Sequence, residues 1–452
     1  MNFLEGTHLP ATEPFLTTPE IERIFSAGQH VQRMLDFEAV LARAQCETGN
    51  VSAAVRDAIV ACCRLDRFDA AALLIASREA GNAAIPLVNA LSQAVSAQNP
   101  IAGDWVHWGA TSQDVLDTAL VLQLREASEL IVAQLKLAES RIAQLARQHL
   151  RTPMVARTLL QQAAAITLGY KLAIWGHAVE RARLGLTRLH DDAFALQLGG
   201  AVGTLSVMGA SAVAIRQAAA SHLGLQTPAM TWHAVRDRMS MIGTAMATVV
   251  TACAKMSQDL MLMMQSEVGE AVESATGAGG SSAMPNKRNP VRALVSVAAA
   301  ANVGGLLAAL YNSAVHEHER AAGAWHGEWF ALPQLAALAH ASARATADIA
   351  GSVAFSPERM RQNLECGGGL VAAEALTAAL AKVSGKAAAR QAVKRLCDEV
   401  RAGNGTLAER VAAAPELSRQ LGAEGLATVF SHAEAIDAAA DAAQAWLDQR
   451  PA

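Results

Sequence analysis

Apolar residues recur along this chain at helical spacing, and the length over which that spacing holds changes twice. Up to about Asn99 the periodic segments are short and broken by loops; between Pro19 and Thr48, for example, Leu35, Phe37, Val40 and Leu41 share one face. From Asp114 to about Ile349 the pattern lengthens into Ala/Leu-rich helices with few breakers, at roughly Asp114 to His149, Leu160 to His190, Val235 to Glu273 and Val291 to His318. After Phe355-Ser356-Pro357 a new helix opens, with Ser356 as its N-cap and Pro357 at the first helical position, where a missing N–H costs nothing. These breaks predict three helical domains, 1–110, 111–353 and 354–452.

Helices this long must bury their apolar faces on one another. Several are apolar around much of their circumference, so one subunit could not easily cover them and a homo-oligomer sharing a bundle is expected. Two uncharged stretches, Ala193 to Ile215 and Ala293 to Val315, are long enough to raise the question of membrane spans. Their richness in Ala and Gly, and the Gln197, Asn302 and Asn312 within them, point instead to buried bundle helices and no membrane partner.

Composition agrees with the pattern. Hydrophobic residues make up 52% of the 452 positions but aromatics only 4%, and the excess is alanine, the best helix former, so an all-α fold follows. A formal charge of −4 without any run of Lys or Arg excludes the electrostatic footprint of nucleic-acid binding and leaves a small molecule as the expected partner. The six cysteines lack both the density of a disulfide scaffold and a metal-binding CxxC, and read as reduced thiols. The first twenty residues have neither a basic start nor a continuous apolar run, so a cytoplasmic location is expected.

The candidate chemistry concentrates in Gly277-Ala278-Gly279-Gly280-Ser281-Ser282-Ala283-Met284-Pro285-Asn286-Lys287-Arg288-Asn289-Pro290, a glycine-rich run between two long helices. Its glycines leave amide N–H groups unshielded, and Lys287, Arg288 and Asn289 add cationic and amide donors suited to carboxylate oxygens. The run is an anion-gripping loop containing two hydroxyls. It resembles the signature loop of the fumarase/aspartase superfamily. The resemblance implies that Ser281 transfers a proton next to a carboxylate while Lys287 and Asn289 hold that carboxylate. Such chemistry builds a doubly negative aci-carboxylate, which needs preorganised cations and N–H donors.

Other segments are similar to the same superfamily. Asp104-Trp105-Val106-His107-Trp108-Gly109-Ala110-Thr111-Ser112-Gln113-Asp114 resembles a substrate-contacting region, implying a catalytic role for His107 and substrate binding by Thr111 and Ser112. Thr111 and Ser112 also suit the capping of a helix, whose N-terminus attracts carboxylates in any case. Arg157-Thr158-Leu159-Leu160-Gln161-Gln162-Ala163, followed by Leu198-Gly199-Gly200-Ala201-Val202-Gly203-Thr204, resembles a further site region and implies that Thr158 and Gln161 bind substrate. His318 to Trp329 and Thr231 to Arg238 resemble the remainder and imply Arg320, His326, His233 and Arg236; Arg236 and Asp237 equally read as a structural ion pair.

One departure bears on the substrate. Many members read Arg-Thr-His-x-Gln, with the histidine protonating an amine or hydroxyl leaving group; here that position is Leu159. A carboxylate needs no such acid, because its conjugate acid has a pKa of roughly 4. The departure therefore implies a lactone-forming member, which adds an internal carboxylate of a small tricarboxylate to a conjugated double bond, and an apolar surround for Leu159. An amine lyase of the adenylosuccinate or argininosuccinate type and a non-catalytic structural relative are the rivals. The resemblance further implies a homotetramer whose sites are shared between subunits. No metal or organic cofactor is expected, since the thirteen histidines show no HExxH spacing and no phosphate loop follows a strand.

Overall fold

A computed structural model of the chain describes residues 14–273 and 279–450. Of the first twenty residues, on which the expected cytoplasmic location rests, positions 1–13 lie outside the described residues, as do Gly277 and Ala278 of the glycine-rich loop. Eighteen α-helices dominate the described residues, as the all-α expectation requires; the strands are one hairpin, Pro153–Thr158 with Gln161–Thr167, and a two-residue pairing of Ala271–Val272 with Ala354–Phe355.

Contacts divide the chain into two units. One holds the described residues up to Lys136 with Arg181–Ala254 and Val295–Ala345; the other holds Leu137–Glu180, Lys255–Leu294 and the described residues from Thr346 onward. In the first, the helix Ala27–Glu47 starts at Ser26, whose hydroxyl accepts the Gln29 N–H, and buries Val31, Met34, Leu35, Phe37, Val40 and Leu41. Each such side chain contributes about 1.5–3 kcal/mol of burial. Glu38 and Gln45 are buried with them at 1% exposure, two polar groups on an apolar stripe. Farther on, a Cβ on Gly243 would lie 2.2 Å from Leu310, so a glycine is what lets Asp237–Met263 and Val291–Asn312 approach so closely there.

In the second unit the predicted cap is present. Ser356 accepts the Arg359 N–H through its hydroxyl, and Pro357 occupies the first turn of Pro357–Glu365. Here the pattern reading also needs correction, because the helix expected from Leu160 begins only at Leu168. The preceding residues pair as antiparallel strands, Met154 opposite Ile166 and Val155 opposite Ala165, which buries Met154, Val155 and Ala165. Strand propensity is largely the fit of side chains to neighbours, and here that fit overrides an alanine-rich segment.

The uncharged stretches correct a second expectation. Ala193 to Ile215 is not one bundle helix: extended chain and a 3-10 segment, Ser206–Ser211, precede a helix that starts at Ala212. Ala293 to Val315 does fall mostly in the helix Val291–Asn312, but only 28% of its most apolar window, of mean hydropathy 2.0, is buried within the chain. That helix and Asp237–Met263 are long and apolar enough to cross a membrane by length and composition. Cys46, Cys62, Cys63, Cys366 and Cys397 are free thiols.

Candidate active site

The glycine-rich loop returns on itself in the second unit. Asn289 N–H donates to the Gly279 carbonyl at 2.6 Å and Gly280 bridges to Arg288, which closes the segment into a narrow turn. Gly279 has φ 89, and a Cβ there would sit 2.2 Å from the Asn289 carbonyl oxygen, so only glycine fits. Inside the turn, Ser281 Oγ accepts two backbone N–H bonds, from Ala283 at 3.3 Å and Met284 at 3.1 Å. Donors aimed at that oxygen favour its alkoxide over its neutral form, which a serine needs if it is to act as a base. Lys287 is exposed, and Asn289 Nδ2 reaches the Gly280 carbonyl at 3.5 Å. The far end of the loop is anchored by Glu273, 2% exposed, which caps the next helix by accepting N–H bonds from Arg292 and Ala293.

The same unit contains the hairpin. Thr158 and Gln161 are directly paired across it, which sets both on one face at its tip. Leu159 and Leu160 form the two-residue turn with φ 50 and 63, the left-handed pair that a type I′ turn demands. Leu159 is 96% exposed, so the described residues do not supply the apolar surround expected for it. Arg157, next to Thr158, is spent on structure: it makes a bidentate pair with the fully buried Glu270 at 2.8 and 2.9 Å, and Asn363 also donates to that carboxylate.

The first unit holds a buried polar frame at the start of the helix Ser112–Gln148. Asp114 accepts the Thr111 N–H at 3.0 Å, the Gly199 and Gly200 N–H groups at 2.9 and 2.8 Å, and His233 Nε2 faces it at 2.7 Å. The carboxylate, not the hydroxyls of Thr111 or Ser112, closes the helix N-terminus, and neither hydroxyl is engaged among the described residues. Gly200, with φ 70, packs so close to Gly109 that a Cβ would meet its carbonyl at 2.7 Å. Asp114 thus fastens the glycine segment Gly199 to Thr204 to the segment that carries Thr111 and Ser112.

One turn further, Asp117 receives Arg236 at 2.7 and 2.9 Å and Trp325 Nε1 at 2.9 Å, while Arg236 also donates to Glu328 at 2.9 and 2.6 Å. Burial pushes the Asp117 carboxyl up, but the Arg236 guanidinium outweighs it and holds Asp117 below the usual aspartate range. For Glu328 burial prevails, and its carboxyl lies above the usual range.

This frame corrects two expectations. All five N–H donors of Arg236 are taken by Asp117, Glu328 and the Trp232 carbonyl, and the residue is 1% exposed, so it cannot grip a substrate; its ion pair is structural and runs to these two acids. His233 is 2% exposed with Nε2 on Asp114 and Nδ1 near the Thr231 hydroxyl, which removes it from substrate contact within the chain.

Other predicted residues stay near the surface. Arg320 donates to Gln113 and to the Gly200 and Ala201 carbonyls, tying its own segment to the glycine loop. His326 is exposed, packs against Trp329 with the rings tilted by 55°, and faces the Gly81 carbonyl at 3.1 Å. His107, in a left-handed conformation at φ 62, sets Nδ1 2.6 Å from Glu38. Burial alone would lower its pKa, but the Glu38 carboxylate outweighs burial and raises it. Sequence reasoning passed over Glu38, Asp117 and Glu328. Glu38 had a visible signal, an acid three residues from both Leu35 and Leu41 on their face; Asp117 and Glu328 had none, because their partner lies far along the chain.

The candidate residues thus fall into two sets, His107, Thr111, Ser112, Arg320 and His326 in the first unit and Thr158, Gln161, Ser281, Lys287 and Asn289 in the second. The second set carries a hydroxyl whose oxygen is held by N–H donors beside an exposed cation, and the first carries hydroxyls at a helix N-terminus that are unengaged among the described residues; each is a group that enolisation of a carboxylate can use. Among the described residues no group of His, Cys, Asp and Glu has the arrangement of a metal site.

A family model described as Lyase matches residues 15–305. The chain is 41% identical over 422 residues to the 3-carboxy-cis,cis-muconate cycloisomerase of Bradyrhizobium diazoefficiens, covering 93% of this chain and 94% of that one. It is 42% identical over 416 residues to the enzyme of the same name from Pseudomonas putida, covering 92% and 98%. The crystal structure of 3-carboxy-cis,cis-muconate lactonizing enzyme from Pseudomonas putida is similar to it with a TM-score of 0.89 at 39% identity, over 96% of this chain and 97% of that one.

Proposed function

From the premise that the chain belongs to the lyase family, within the fumarase/aspartase superfamily, we propose that it is a 3-carboxy-cis,cis-muconate cycloisomerase. The reaction adds a carboxylate oxygen of the substrate to its conjugated double bond. Electrons move onto the neighbouring carboxylate as an aci-carboxylate, and a proton then reaches the adjacent carbon to leave a carboxymuconolactone. Ser281 delivers that proton and becomes an alkoxide held by the Ala283 and Met284 N–H groups, while Lys287 and Asn289 answer the charge of the intermediate. Thr158, Gln161, Thr111, Ser112, His107, Arg320 and His326 hold the remaining carboxylates.

The observation that carries this reading over an amine lyase is Leu159 at the hairpin tip, a side chain with no proton to give, which suits a reaction whose reverse expels a carboxylate. A soluble homotetramer with shared sites, in the cytoplasm, completes the proposal. The oligomer is supported by the largely uncovered apolar helix Val291–Asn312. Mixing the purified chain with 3-carboxy-cis,cis-muconate and following loss of the diene absorbance tests the cycloisomerase reading. Lactone formation is expected, with no release of fumarate from adenylosuccinate or argininosuccinate; the opposite pattern would replace it with an amine lyase.

A further inference from the structure

Glu38 sits in the middle of Ala27–Glu47 on the face that buries Leu35 and Leu41, and it is itself 1% exposed. A carboxylate there loses its hydration and costs several kcal/mol unless something compensates it. Among the described residues its only hydrogen-bond partner is His107 Nδ1, at 2.6 Å to Oε1; Oε2 is shut from solvent and has none. Two turns along the same helix, the buried Gln45 donates to the Trp108 carbonyl at 2.8 Å. One helix face thus holds both His107 and Trp108, the residues that lead into Thr111 and Ser112. His107 keeps a left-handed backbone that costs about 1–2 kcal/mol in a residue other than glycine, and it persists because these anchors over-determine it.

We propose that Glu38 is a positioning residue of the active site, whose buried carboxylate fixes the His107 ring through Nδ1 and leaves the Nε2 N–H to grip a carboxylate of the substrate. The proposal rests on the cycloisomerase reading for the identity of that substrate. Nε2 makes no hydrogen bond among the described residues. An imidazole donating from Nδ1 to an ionised carboxylate can present an N–H at Nε2 only as imidazolium, so the proposal requires His107 to be protonated at neutral pH. The charged groups around it favour that state: Glu38 on one side and Asp114 on the other both raise its pKa against the opposing effect of burial. Cys63 is a further titratable neighbour of Glu38; burial first, and Glu38 next, push its thiol well up and so keep it neutral, with Cys62 and Asp36 adding to the rise and Arg43 opposing it. His107 is then a cationic grip and not a general base.

Glu38→Gln keeps the shape and removes the charge. Imidazole NMR on the intact protein reads the pair without any substrate: His107 should be doubly protonated at pH 7 in the wild type, and its titration should move down by about one unit or more in Glu38→Gln. An unchanged titration overturns the proposal whatever the chain turns over. In kinetics with 3-carboxy-cis,cis-muconate, Glu38→Gln should raise KM about tenfold or more while kcat changes less than about threefold, and the alkaline limb of kcat/KM should move to lower pH. In a His107→Gln background the same substitution should change KM by less than about twofold, since Glu38 acts through His107. An equal loss in both backgrounds would mean that Glu38 only supports the fold. Glu38→Leu, which fills the site with an apolar side chain, separates the two roles: stability should be kept while the KM defect remains. A KM restored to the wild-type value in that variant overturns the proposal.

Discussion

The polar groups around the start of Ser112–Gln148 and those of the loop from Gly279 to Asn289 are built on opposite terms. In the first region Asp114, Asp117, Arg236, His233 and Glu328 are all buried, and each meets a partner inside the chain. In the second, Lys287 and Arg288 are exposed, and the hydrogen bonds join the loop mainly to itself. Desolvation explains the difference. A buried charge must be matched or the fold is lost, whereas an exposed one is stable unmatched and stays available for a ligand. Asp114, Asp117, Arg236, His233 and Glu328 therefore form a frame that holds Thr111 and Ser112 in place, while the loop carries the chemistry, and substitutions should separate the two by what they damage.

Arg236→Met should have the largest effect. It leaves Asp117 and Glu328 buried without their cation, a change that costs about 3–5 kcal/mol, so denaturant unfolding should show a large loss of stability. A stable Arg236→Met protein with impaired KM would mean that the guanidinium serves substrate after all. Ser281→Ala touches the other region, and we expect turnover to fall by about 10²- to 10⁴-fold, the usual range for a positioned proton-transfer group, with an unchanged unfolding midpoint. Retained activity would take Ser281 out of its role. Lys287→Met should lose about 10²-fold in kcat and less in substrate affinity, because the charge it answers is greatest in the aci-carboxylate; a defect confined to KM contradicts that.

Leu159→His should have the smallest effect. Histidine is several-fold enriched among residues that adopt the left-handed conformation Leu159 already holds, and the side chain is exposed within the chain, so stability should move by no more than about 0.5 kcal/mol. The lactonising rate should not rise, since a carboxylate leaving group has little charge left for an acid to neutralise. A tenfold faster variant would represent about 1.4 kcal/mol of new transition-state stabilisation, and would show proton transfer to the leaving group to be limiting.

Features that depend on neighbours a few residues away are legible in the amino-acid order alone. The long helices follow from apolar periodicity, the Ser356 cap from a hydroxyl beside a proline, and the anion-gripping character of Gly279 to Pro290 from glycines and donors within one short run. The tertiary structure alone decided the pairings. Glu38 meets His107 across 69 positions, Arg236 meets Glu328 across 92 and Asp117 across 119. Nothing local distinguishes an arginine that will face a substrate from one that will be consumed by two buried acids, because the deciding term is the desolvation each group undergoes once distant elements pack on it. The hairpin at Pro153–Thr167 belongs with these. Its alanines favour a helix in isolation, and only the pairing of Met154 with Ile166 and Val155 with Ala165 outweighs that preference.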